Sequence, residues 1–171
     1  METQPNAEDR YVFGMDWGFL DSPTAVVVMN ADTREVVGMQ QWDGEGFSVQ
    51  RARLQKLVEQ WNPVSIWAAG NALGQAWNEG LQQEGLPIRP ITITLKRKKE
   101  LLYNLKGAMA AGIIQLPDGS TLEVALDAVG WKEMASGQVA AVLPEETEHL
   151  LIAACLSWYG VQHSGAKISF V

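Results

Sequence analysis

Phe13-Gly14-Met15-Asp16-Trp17-Gly18 places a single carboxylate between two glycines at the end of an apolar run, and Asp21 follows before Ser22-Pro23-Thr24. The glycines let the backbone turn tightly around Asp16, so that its side chain sits at a strand end, open to a metal ion or a phosphate-bound cation. A carboxylate buried there needs a partner, because an unpaired charge in a strand core is very costly. The same residues also read as a hairpin in which Asp16 and Asp21 cap turn amides. On this stretch alone both readings stand.

Three other groups of residues could carry chemistry. Lys96-Arg97-Lys98-Lys99 concentrates four of the thirteen basic residues of a chain whose net charge is −7. Such a cluster on an acidic domain can bind DNA locally and with strong salt dependence, or it can simply solvate the start of a helix. Asn71, in Gly70-Asn71-Ala72-Leu73-Gly74, can cap a helix or point at a substrate. Glu145, Glu146, Glu148 and His149 open an apolar helical pattern, where acids are also what helix capping alone predicts.

The elements that must position these residues follow from periodicity and punctuation. Residues 11–17, 24–30 and 35–42 read as three successive strands, the second and third joined as an antiparallel hairpin by Asn30-Ala31-Asp32-Thr33. Ser48 reads as the N-cap of a helix through Gln60, ended by Pro63. A short buried strand over 64–69 leads through the Gly70–Gly74 turn into a helix ending near Gly85. A fifth strand, 87–93, carries prolines suited to a sheet edge. Residues 96–111 are expected to be helical, 113–117 extended, 124–131 and 138–143 a second hairpin around Ala135-Ser136-Gly137, and 145–159 a final helix. The predicted architecture is α/β, a central mixed five-stranded sheet flanked by helices with an added β-hairpin. Asp16 then falls at the sheet centre, near the change of chain direction where open α/β sheets bind ligands.

Composition bounds the answer further. The 171 residues make one ordinary domain, with residues 1–10 expected as a flexible arm, 11–160 as the folded unit and 161–171 as a tail. Hydrophobic residues are 47% of the chain, which is enough to build a core and excludes disorder. The lone Cys155 excludes an intramolecular disulfide framework and suits a reducing cytoplasm. No apolar run reaches membrane-spanning length, and the acidic start Met1-Glu2-Thr3-Gln4-Pro5 matches neither a signal nor a transit peptide. The seven Trp are spread through apolar segments and read as core.

The ordered set of motifs resembles the ribonuclease-H-like nuclease domain of bacteriophage large terminases, the DNA-packaging enzymes. Gly14-Met15-Asp16-Trp17-Gly18 with Asp21 and Thr24 looks like the first motif of that family, whose strand-one Asp binds metal. Ile66-Trp67-Ala68-Ala69-Gly70-Asn71 looks like the second, an acidic residue followed two later by Asn. Lys98-Lys99-Glu100-Leu101-Leu102 and Gly112-Ile113-Ile114-Gln115-Leu116-Pro117 resemble the third helix and following strand. Pro144-Glu145-Glu146-Thr147-Glu148-His149 resembles the last motif, usually a His-Asp-Asp run opening an Ala/Leu-rich helix.

The resemblance implies metal-dependent endonucleolytic cleavage of double-stranded DNA during genome packaging. It further implies catalytic Asp16, Glu148 and His149, with Asp21 joining them as a metal ligand. Asn71, Lys98 and Lys99 would touch substrate, and two Mg2+ or Mn2+ ions would serve as cofactor. The partners it implies are double-stranded DNA, an ATPase motor domain, a small terminase subunit and a portal protein, in the cytoplasm of a bacterial host and without a membrane. The chain departs from the pattern at Ala69, where the second-motif acid should stand, and at Glu148 and His149, where paired Asp residues should stand. Two ions about 3.5–4 Å apart need bridging and flanking carboxylates, so one fewer acid predicts weak or absent cleavage. A catalytically dead DNA- or portal-binding domain of the same fold is the rival reading. A Holliday-junction-resolvase-like nuclease shares the Gly-x-Asp start but would also carry an acid near position 69. An actin-like ATP binder needs a second copy of the fold, and no Gly-x-x-x-x-Gly-Lys-Ser/Thr loop is present.

Overall fold

A computed structural model describes residues 3–117 and 119–164. Three consecutive apolar segments form β1 (Tyr11–Asp16), β2 (Leu20–Asn30) and β3 (Glu35–Gly44), and α1 (Phe47–Trp61) leads into β4 (Ser65–Ala69). There follow α2 (Leu73–Gln83), β5 (Ile88–Ile91), α3 (Leu95–Ala110), α4 (Thr121–Asp127), β6 (Gly130–Glu133), β7 (Val139–Val142) and α5 (Glu148–His163). The mixed five-stranded sheet has the order β3-β2-β1-β4-β5, and β6-β7 is a separate hairpin. β1 is central, as expected, antiparallel to β2 and parallel to β4. The register Met15↔Ala68 brings Asp16 and Ala69 side by side, one step further on, at the C-terminal ends of the two central parallel strands.

Alternation along these strands splits the core in two. Phe13, Met15, Val26, Val28, Ile66 and Ala68 face α1 and α2 with Leu54, Leu57, Trp61 and Leu81. Val27, Met29 and Ala69 belong to the other face, built on α5 with Leu101, Leu105 and Leu122 from α3 and α4. Helix α5 is buried over almost all of Leu150–Trp158, because the sheet covers one side and α3 and α4 cover the other. That continuous burial explains an apolar run with no polar stripe.

Gly14 has a different role from the turn expected of it. It lies inside β1, where a Cβ would stand 1.9 Å from the Ala153 carbonyl oxygen and 2.2 Å from the Ser157 nitrogen. Its absence of a side chain lets the α5 backbone lie directly on the central strand. Gly160, where a Cβ would meet the Trp67 indole, continues the same close approach.

Other sequence expectations are corrected locally. Residues 124–127, expected in a strand, are helical: Ser120 caps α4 by accepting from the Leu122 N–H, and Leu122, Ala125 and Leu126 are buried at helical spacing. Only β6 remains of that expected strand, paired with β7 around Gly137. Helix α1 is preceded by Gly46 rather than capped by Ser48, and α3 is capped by Thr94, whose hydroxyl accepts from the Arg97 N–H. Helix α5 starts at Glu148, three residues later than expected, after a turn in which Thr147 N–H donates to the Pro144 carbonyl. It runs to His163, so part of the expected 161–171 tail is helix; residues 165–171 and the first two residues of the expected arm lie outside the described residues.

Candidate metal and phosphate site

Asp16 ends β1 beside Ala69, and the first turn of α5 comes down over both. His149 Nδ1 lies 2.8 Å from Asp16 Oδ2, with both side chains mostly buried. The two atoms lie close without forming a well-aligned hydrogen bond. Glu148, one residue earlier, is paired with the ammonium of Lys98 from the first turn of α3. Residues from β1, β4, α3 and α5 therefore meet around a cavity of about 380 Å3 lined by Asp16, Ala69, Asn71, Lys98 and Glu148. Its apolar wall is Trp17, Phe19, Ile93, Leu95 and Ile152.

The electrostatics follow from burial. Burial raises the Asp16 pKa above the usual carboxylate value, and His149, through both the contact and its charge, pulls it only part of the way back. The His149 pKa is raised because the Asp16 contact outweighs the cost of burying the imidazolium. Each carboxylate lining the cavity thus has a basic partner from the chain itself, His149 for Asp16 and Lys98 for Glu148.

Buried polar side chains hold the strand ends in place. Trp17 Nε1 donates to Asn78 Oδ1 at 2.8 Å, and Asn78 Nδ2 donates to the Ala69 carbonyl at 3.1 Å. Fully buried Asn78 on α2 therefore ties the residue after Asp16 to the end of β4. Gly74 brings α2 in, since even a Cβ there would lie 3.0 Å from the Ala69 oxygen. Gln50 secures the loop after β1: its amide donates to the Gly18 carbonyl at 3.0 Å and pairs with Thr24, whose hydroxyl accepts from the Gly18 N–H at 2.7 Å. Asn78 and Gln50 belong to no motif that the sequence marks. The available signal was a polar residue on a buried helical stripe, Gly74-Asn78-Leu81 in α2 and Gln50-Leu54-Leu57 in α1.

The structure gathers some expected site residues and leaves others apart. Asp16, Glu148, His149 and Lys98 are together. Asn71 lines the cavity but commits its amide to both backbone groups of Ile93, at 2.9 Å each. Its neighbour Ala72 has a φ of 51°, a strained conformation of the kind that clusters at functional sites. Asp21 is exposed on the outer part of β2, outside the cavity lining. Lys99 faces a second groove, between α3 and the β6-β7 hairpin, with Lys96 and Met134.

The donors suit one hard divalent cation. Asp16 and Glu148 both line the cavity, and magnesium commonly takes one or two protein carboxylates, with water or phosphate oxygens completing its shell. Ala69, which also lines the cavity, adds a methyl and no third carboxylate, and two ions need bridging and flanking carboxylates. Among the described residues no group of three or more His, Cys, Asp or Glu side chains forms a cage.

Comparison with known proteins places this geometry. The terminase large subunit of Thermus virus P23-45 is 28% identical over 128 residues, covering 74% of this chain. The chain spans only 26% of that relative's length. The large terminase nuclease from thermophilic phage G20c with bound magnesium superposes with a TM-score of 0.82 at 22% identity, over 91% of this chain and 84% of that one. The same nuclease is also known with cobalt and with zinc bound. The nuclease domain of the Thermus phage P74-26 large terminase superposes with a TM-score of 0.79 at 21% identity, over 92% of this chain and 83% of that one. The family model described as the terminase RNaseH-like domain matches residues 13–149, from the middle of β1 to the His149 that meets Asp16, and the chain therefore belongs to the terminase RNaseH-like domain family.

Proposed function

We propose that the chain is the nuclease part of a phage or prophage large terminase. It would cleave double-stranded DNA with a divalent cation, and the alanine at position 69 would keep it weakly active. One observation carries this reading: Asp16 and the Glu148-His149 turn, from opposite ends of the chain, converge on one cavity with Lys98. Asp16 and Glu148 would hold the cation. When bound, that cation supplies Lewis-acid polarisation of the phosphodiester and a more acidic water. His149, in contact with Asp16, would join Asp16 and Glu148 as the third catalytic and metal-binding side chain. Lys98 would contact a phosphate on leaving Glu148, Lys99 would meet the DNA from the neighbouring groove, and Asn71 would touch it from the opposite wall.

The G20c nuclease, crystallised with magnesium, cobalt and zinc, supports a divalent cation, and hard oxygen donors favour Mg2+ or Mn2+. The partners proposed are double-stranded DNA, an ATPase motor domain, a small terminase subunit and a portal protein, in the cytoplasm of a bacterial host. No described helix is long and apolar enough to cross a membrane.

Ala69 also favours a second reading, a DNA- or portal-binding domain of this fold without catalysis. Manganese-dependent cleavage of plasmid DNA separates the two. The parent should cut weakly or not at all, and Ala69→Asp or Ala69→Glu should raise cutting. Adding Asp16→Ala should abolish the gain. Equal cutting by all the variants would remove Asp16 from the reaction. No cutting by any of them would favour the binding domain.

A further inference from the structure

Both carboxylates of the cavity already have a partner from the chain. Asp16 meets His149, and Glu148 meets the ammonium of Lys98, whose side chain is 19% exposed. Lys98 reaches Glu148 across the gap between α3 and α5, inside the cavity wall rather than out in solvent. A cation seated between Asp16 and Glu148 would have to share with Lys98 the carboxylate whose Oε1 the ammonium holds. It would also stand beside the positive charge of Lys98, in a cavity lined by two carboxylates.

We propose that Lys98 is an internal competitor for the metal. Its ammonium occupies Glu148 in the metal-free protein, and a divalent cation binds by displacing it. This rests on the proposal that Asp16 and Glu148 form a cation site. The displaced ammonium remains on the basic first turn of α3 with Lys96, Arg97 and Lys99, where a DNA phosphate is the anion able to receive it. Metal loading and phosphate binding would then favour each other, because each relieves the interaction that opposes the other.

The test measures Mn2+ affinity by the electron paramagnetic resonance signal of the free ion, on the whole chain without DNA. Lys98→Gln should bind Mn2+ about 10- to 100-fold more tightly than the parent, the factor that a charge-assisted hydrogen bond to a carboxylate represents. Lys98→Arg, which keeps the competing charge, should bind as weakly as the parent. Lys106→Gln, with the same charge change on the exposed face of α3, should stay near the parent. Unfolding curves confirm that each variant is folded. Equal affinity in the parent and Lys98→Gln, or equal tightening in Lys98→Arg or Lys106→Gln, would overturn the competition while leaving the metal site standing. Binding unaffected by Asp16→Ala in every background would overturn the site itself and the proposal with it.

Discussion

Replacing Gly14 with Ala tests the packing on which the site depends. The added Cβ would lie 1.9 Å from the Ala153 oxygen and 2.2 Å from the Ser157 nitrogen, both backbone atoms of α5. No rotamer can relieve a backbone clash. Ordinary van der Waals separation begins near 3.4 Å, so α5 must retreat by about 1.5 Å, or β1 must bow away from β2 and β4. Overpacking of this kind costs about 3 kcal/mol, at the upper end of its usual range because neither partner is a flexible side chain. For a chain of this size each kcal/mol lowers Tm by about 2–4 °C, so the expected fall is about 6–12 °C. Gly80→Ala, a helical glycine of α2 with nothing within 4 Å of its added Cβ, should instead gain about 0.5–1 kcal/mol. Urea unfolding gives both values. The retreat of α5 would also carry Glu148 and His149 away from Asp16, so Gly14→Ala should weaken Mn2+ binding as well. A Gly14→Ala protein within about 0.5 kcal/mol of the parent would refute the claim that glycine is required for this approach.

Asn78→Leu should destabilise by about 1–3 kcal/mol in urea, because it strands the Trp17 indole N–H and the Ala69 carbonyl without partners; a fall under about 0.5 kcal/mol would mean that water replaces the amide. Stability in chelator should fall as pH rises, since Asp16 and His149 both bind protons more tightly folded than unfolded. The fall begins above 3.8 for Asp16 and above 6.5 for His149. His149→Gln should flatten the upper part of that profile, and an unchanged slope there would remove the pair as its source. Replacing Lys96 and Lys99 with Ala should weaken duplex DNA binding and reduce its log–log salt dependence by about one unit for each phosphate no longer neutralised; an unchanged slope would leave the cluster as a solvated helix start.

Much of this molecule is written in local pattern. The alternation over 11–17 and 24–30, the turn at Asn30-Ala31-Asp32-Thr33 and the helical stripes of α1 and α3 set the order of elements and the central place of β1. Asp16 was legible as a candidate because a carboxylate ending an apolar strand has few structural purposes. Period-two and period-3.6 signals decide which face of an element is apolar, and little else. They failed at Val124-Ala125-Leu126-Asp127, where a short apolar run fits either period and the Ser120 cap together with packing against α5 selects the helix. Only tertiary structure decided that Gly14 serves α5 rather than a turn, that Asn78 ties Trp17 to Ala69, and that His149 rather than Asp21 meets Asp16. Lys98 and Glu148 stand fifty residues apart in the chain. Their meeting depends on how α3 and α5 dock, a sum of many small side-chain interactions that no local stretch of sequence contains.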